Sequence, residues 1–83
     1  VKVPVVTVYT SPGCPGCLLT KRHLKRRGVE FSEVNISDDP LNLDAIRELG
    51  FSSAPVVCAS TGDGELTWGG YRPDRIDMLA GAR

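Results

Sequence analysis

Val3-Pro4-Val5-Val6-Thr7-Val8-Tyr9, a turn from Thr10 to Gly13, and then Cys14-Pro15-Gly16-Cys17 leading into Leu18 through Arg27 form the stretch that decides the fold. The first run is short and β-branched, the mark of a buried strand. Pro15 suits the first position of a helix, where its missing N–H costs nothing. Gly28 closes that helix. A Cys-x-x-Cys therefore stands at a strand-to-helix junction. The free N–H groups and positive dipole end of a starting helix stabilise a thiolate, the reactive form of cysteine. The two-residue gap sets the second sulfur one helical turn behind the first, within reach of a disulfide. Cys14 is the candidate nucleophile and Cys17 the candidate resolving thiol.

Further along, Glu30 to Ile36 reads as a second strand with Phe31, Val34 and Ile36 as its apolar members. Asp38-Asp39-Pro40 opens a second helix, with acid at the cap and proline just inside. Leu43, Ile46 and Leu49 give that helix its apolar stripe, and Gly50 ends it. Pro55-Val56-Val57-Cys58-Ala59 is a third strand. Thr61-Gly62-Asp63-Gly64 is a turn, and Glu65 to Trp68 the returning strand. Gly69-Gly70 breaks the chain before Pro73 opens a last helix through Ile76, Leu79 and Ala80. The order βαβαββα predicts an α/β fold, a four-stranded mixed sheet flanked by three helices, in one domain spanning 1–83. The first two strands, joined through a helix, should be parallel, and the last two form a hairpin.

Bulk properties narrow the function. A formal net charge of zero over 83 residues argues against a general nucleic-acid binder. No apolar run approaches a membrane span and nothing resembles a signal peptide. Three cysteines is an odd count, which disfavours a secreted disulfide scaffold, so a cytoplasmic setting is expected. A closed zinc site takes about four ligands. The available ones are Cys14, Cys17, Cys58 and the only histidine, His23. Cys58 lies in an apolar run and His23 in a basic helix, with no second short-spaced pair. Redox chemistry is thus preferred to a metal-binding module.

These residues resemble the thioredoxin superfamily, in particular its small glutaredoxin-like branch. Three stretches carry the resemblance: Cys14-Pro15-Gly16-Cys17, Ala54-Pro55-Val56-Val57, and Trp68-Gly69-Gly70-Tyr71-Arg72-Pro73-Asp74. The last is similar to the corresponding stretch of NrdH-redoxins, electron donors to class Ib ribonucleotide reductase that are recharged by thioredoxin reductase. The resemblance implies a dithiol–disulfide oxidoreductase and a thioredoxin-like fold. It implies ribonucleotide reductase, through its large subunit, and thioredoxin reductase as partners of a monomeric protein. No cofactor is then bound; the working group is a reversible Cys14–Cys17 disulfide, and NADPH acts only through the flavoprotein reductase. It further implies that Pro55 is cis and that Pro15, Gly16, Ala54, Pro55, Trp68, Gly69, Gly70, Tyr71 and Arg72 contact substrate. Read locally, Pro55 simply begins a strand.

One position departs from the NrdH pattern. Gly16 stands where those proteins usually carry glutamine before the second cysteine, and Pro15 resembles the Cys-Pro-x-Cys of glutaredoxins. Gly69-Gly70 likewise resembles the glutathione-binding loop of glutaredoxins. A glutaredoxin using glutathione or another low-molecular-weight thiol is therefore the alternative. Lys21, Arg22, Lys25, Arg26 and Arg27 make the first helix basic, either as a solvated face or as a steering patch for an acidic peptide. Lys21 would add thiolate stabilisation if it lay near the pair. Trp68 is either core or the rim of a docking patch, and Arg72 is expected to bond across the fold. Tyr9 is expected to pack or to contact a ligand. Cys58 is expected to be a buried inert thiol, and His23 a surface residue.

Overall fold

The computed structural model describes residues 4–81. Its elements are β1 (Val5–Thr10), α1 (Pro15–Arg26), β2 (Ser32–Asn35), α2 (Pro40–Glu48), β3 (Val56–Thr61), β4 (Gly64–Gly69) and α3 (Pro73–Gly81). The expected order is present. The sheet runs β2-β1-β3-β4. β1 and β2 are parallel, and β1–β3 and β3–β4 are antiparallel. This is the thioredoxin-like, four-stranded mixed sheet with three helices.

Alternation along the strands separates two faces. Val6, Val8 and Thr10 are buried on one face of β1. Val8 pairs with Val57, which pairs with Trp68, and Val6 pairs with Ala59, which pairs with Leu66. These rows of side chains meet Leu24 of α1 and Ile76 and Leu79 of α3 in one core cluster. Burying a side chain of the size of Leu24 or Ile76 stabilises by about 1.5–3 kcal/mol. On the opposite face, Phe51 lies against Gly69. A Cβ at Gly69 would stand 2.8 Å from the Phe51 ring. Glycine there makes room for an aromatic ring on a strand.

The helix starts follow their caps. Asp39 has an extended backbone and accepts the Leu41 N–H at 2.9 Å, with Pro40 just inside. The hairpin loop is Gly62-Asp63 alone, since Thr61 pairs with Gly64. Gly64 has φ +129°, and the Thr61 hydroxyl donates to its carbonyl at 2.9 Å.

Several boundaries differ from expectation. Val3, taken as the start of the first strand, lies outside the described residues. β2 is shorter than Glu30 to Ile36, although the Ile36 N–H still donates to the Thr10 carbonyl at 2.8 Å. Leu49 is 48% exposed, because α2 closes at Glu48 and the cap turn carries Leu49 out of the stripe. Ile46 alone of that stripe is fully buried.

Candidate active site

The cysteine pair is set by the start of α1. Cys14 is the N-cap, with φ −104° and ψ 104°, and its Sγ accepts the Cys17 N–H at 3.1 Å. Sulfur here occupies the position where capping side chains satisfy the free donors of a helix start. Pro15 follows inside the helix. Cys14 and Cys17 form a disulfide with their Cα atoms 5.2 Å apart. Cys17 is buried at 3% exposure, whereas Cys14 is half-exposed. A partner approaching from solvent therefore meets the Cys14 sulfur first.

Two distant segments come to this helix start. The Ala54–Pro55 peptide is cis. A Cβ on Gly16 would lie 3.3 Å from Pro55 Cδ and 4.0 Å from the Tyr71 backbone nitrogen. The Gly70 N–H donates to the Pro55 carbonyl at 2.9 Å. Gly16, Pro55, Gly70 and Tyr71 thus converge beside the disulfide. The tight approach of the Pro55 ring gives glycine at 16 a steric reason.

The cysteine side of the cleft carries an ion pair. Cys14, Cys17, Leu18, Lys21, Glu33 and Thr10 line one groove. Lys21 Nζ lies 3.1 Å from Glu33 Oε2, and the Thr10 hydroxyl donates to the same oxygen at 2.9 Å. The Lys21 ammonium first, and the Thr10 hydroxyl second, hold the Glu33 carboxyl below its ordinary range. Lys21 does lie near the pair, but its charge is shared with Glu33. A separate cleft lined by Pro4, Val6, Lys25 and Phe31 contains no thiol.

The remaining predicted residues divide. Trp68 is core rather than rim, 4% exposed, because its strand alternation points it at Val57 and the α1–α3 layer. Arg72 does not bond across the fold. It reaches only Asp74, two residues on, through Nε at 3.2 Å and Nη2 at 3.0 Å. That guanidinium holds the exposed Asp74 carboxyl below its usual range. The Tyr71 side chain turns away from the cleft to His23. Tyr9 is half-buried on the sheet. Cys58 is half-buried rather than fully buried, and desolvation pushes its thiol up.

His23 is the largest departure. It is buried, not a surface residue. Its Nδ1 lies 2.7 Å from the Tyr71 hydroxyl and its Nε2 2.7 Å from Asp77 Oδ1. A signal for this was present: Cys17, Thr20, His23 and Leu24 stand at i, i+3, i+6 and i+7, one helical face, and are the buried residues of α1. The neighbouring basic residues obscured it. With both ring nitrogens engaged, His23 is no free metal ligand. Among the described residues no cluster of three His, Cys, Asp or Glu side chains is placed to hold a metal ion.

Comparison with known proteins follows the same lines. The glutaredoxin family profile matches residues 6–62. The glutaredoxin-like protein NrdH of Salmonella typhimurium is 43% identical over 74 residues, 89% of this chain and 86% of that protein. The structure of NrdH-redoxin from Escherichia coli, a glutaredoxin-like protein with a thioredoxin-like activity profile, matches with a TM-score of 0.77. It is 40% identical and the match covers 89% of this chain and 92% of that one. The glutaredoxin from Archaeoglobus fulgidus matches with a TM-score of 0.65 and 30% identity, over 89% of this chain and 83% of that one.

Proposed function

The chain belongs to the glutaredoxin family and is a thiol–disulfide oxidoreductase, and on that premise we propose that it is the dithiol electron donor to a class Ib ribonucleotide reductase, recharged by thioredoxin reductase. The observation that carries this is the likeness to NrdH proteins over most of the chain, including the Escherichia coli protein with its thioredoxin-like activity profile.

In the reaction, reduced Cys14 attacks one sulfur of a disulfide in the large subunit of the reductase. A Cys14–partner disulfide forms and the other partner sulfur leaves as a thiolate that takes a proton. Cys17 then attacks the Cys14 sulfur, releasing the second partner thiol and closing Cys14–Cys17. Two electrons have moved from the dithiol to the partner. The half-exposed position of Cys14 and the buried one of Cys17 support this division of labour. The Cys17 N–H at 3.1 Å from Cys14 Sγ is a donor ready for thiolate charge. Pro15, Gly16, Ala54, Pro55, Gly69 and Gly70 supply the surface the partner lies on.

A flavoprotein reductase returns the electrons from NADPH, so the protein itself binds no cofactor. It acts as a cytoplasmic monomer. Among the described residues no helix is long and apolar enough to cross a membrane. The commitment of Arg72 to Asp74 weighs against its serving a glutathione carboxylate. The test compares NADPH consumption with thioredoxin reductase against consumption with glutathione and its reductase, at matched flavoprotein activity. Faster turnover with thioredoxin reductase is expected. Faster turnover with glutathione at physiological concentration would replace the proposal with the glutaredoxin alternative.

A further inference from the structure

We propose that His23 is a positioning residue for protein substrates: it ties the Gly70–Tyr71 segment to the helix that carries the cysteines. The proposal rests on thiol–disulfide exchange at Cys14–Cys17 and is independent of which reductant recharges the pair.

Three elements meet at one imidazole. His23 is on α1, six residues beyond Cys17; Tyr71 is in the segment between β4 and α3; Asp77 is on α3. The ring nitrogens are 2.7 Å from the Tyr71 hydroxyl and 2.7 Å from Asp77 Oδ1. The His23 and Tyr71 rings lie 5.8 Å apart, tilted by 56°. A carboxylate only accepts, so Nε2–H donates to Asp77. In the neutral ring Nδ1 then accepts from the Tyr71 hydroxyl; in the imidazolium it donates to it. Both bonds persist in both states, so the arrangement is a strut and not a switch. Arg27 Nε, at the C-cap of α1 and 3.6 Å from the same Asp77 oxygen, adds a second tie.

The other side of Tyr71 faces the chemistry. Its backbone nitrogen is 4.0 Å from the position a Gly16 Cβ would take, and Gly70 bonds the Pro55 carbonyl. The backbone of this segment therefore stands against Gly16 of the cysteine loop and Pro55, while the side chain anchors it from behind. A small disulfide needs only the Cys14 sulfur. A disulfide embedded in a polypeptide must also lay its chain over the surface that the cysteine loop, Pro55 and this segment form together. Displacing a positioning group by about 1 Å can cost on the order of 100-fold in rate. Loosening the strut should therefore penalise protein disulfides selectively.

The experiment uses the reduced, full-length protein in single turnover, with acid quench and counting of protein thiols. Insulin is the protein disulfide and bis(2-hydroxyethyl) disulfide the small one. The readout is the ratio of their second-order rate constants. A general loss of folded protein lowers both constants alike and leaves the ratio unmoved. His23→Phe keeps ring bulk without ring nitrogens; Tyr71→Phe removes one hydroxyl and guards against a His23 variant that fails to fold. The insulin-to-small ratio is expected to fall by about threefold or more in Tyr71→Phe and in any folded His23→Phe. Combining the two should lower it no further than His23→Phe alone, since that variant already lacks the Tyr71 bond. A ratio within about 1.5-fold of wild type in Tyr71→Phe would overturn the proposal, as would a double variant whose loss is the product of the single losses.

Discussion

Gly69→Ala places a methyl carbon where the Phe51 ring already stands. The new Cβ would be 2.8 Å from one ring carbon and 3.0 Å from the next. Carbon atoms in ordinary contact are about 3.5–4.0 Å apart, so the shortfall is about 0.7 Å or more. Phe51 is half-buried and can shift only in part. Overpacking of this kind costs about 1–3 kcal/mol. Gly69 sits in β4 without a positive φ, so alanine fits its backbone. Restricting the unfolded chain there returns about 0.4–1 kcal/mol. The overpacking cost less that gain spans about 0–2.6 kcal/mol, and the centre of that span, about 1–2 kcal/mol, is the expected net loss. In a domain of this length it corresponds to a fall in Tm of about 4–16 °C. The assay is urea and thermal denaturation of the oxidised protein by circular dichroism, for wild type, Gly69→Ala, Phe51→Ala and the double variant. Removing the ring should abolish the penalty, giving a coupling equal to the overpacking cost, about 1–3 kcal/mol. Gly69→Ala as stable as wild type, or strictly additive with Phe51→Ala, would refute the steric explanation.

Cys17→Ser should accumulate a mixed disulfide with a protein disulfide substrate, visible on non-reducing gels, while Cys14→Ser should abolish exchange; equal residual turnover in both would sink the two-cysteine mechanism. Cys58, whose thiol is pushed up by burial, should alkylate more slowly than Cys14 at neutral pH by peptide mapping, and Cys58→Ser should keep activity. Faster labelling of Cys58 would show that its surroundings have been misjudged. Glu33, held below its ordinary value near 4.5 chiefly by Lys21, binds fewer protons folded than unfolded. Its stabilisation is therefore present above that value and lost as pH falls through the lowered one. Because Glu33 is 42% exposed the effect is small, and Lys21→Met should flatten the acid limb of Tm against pH only slightly. An unchanged acid limb in that variant would remove Lys21 as the cause.

What local chemistry dictates was legible in the chain. Pro15 behind Cys14, Pro40 behind Asp39 and Pro73 each mark a helix start, because capping needs only the neighbouring few residues. The β-branched run before Cys14 and the Gly62-Asp63 hairpin belong to the same local class. From these the element order and the disulfide-capable pair followed, and the resemblance to known redoxins rested on them. Tertiary structure decided which face each residue shows. Trp68 is drawn inward by Val57 and the α1–α3 layer, and Leu49 is released outward where α2 closes. His23, amid basic neighbours, is buried because its partners Tyr71 and Asp77 arrive from 48 and 54 residues away. Gly16, Pro55 and Tyr71 meet beside the disulfide for the same reason. Spacing along a helix states which residues share a side; only the packing of distant elements states whether that side meets water, a hydrogen-bond partner or a ring.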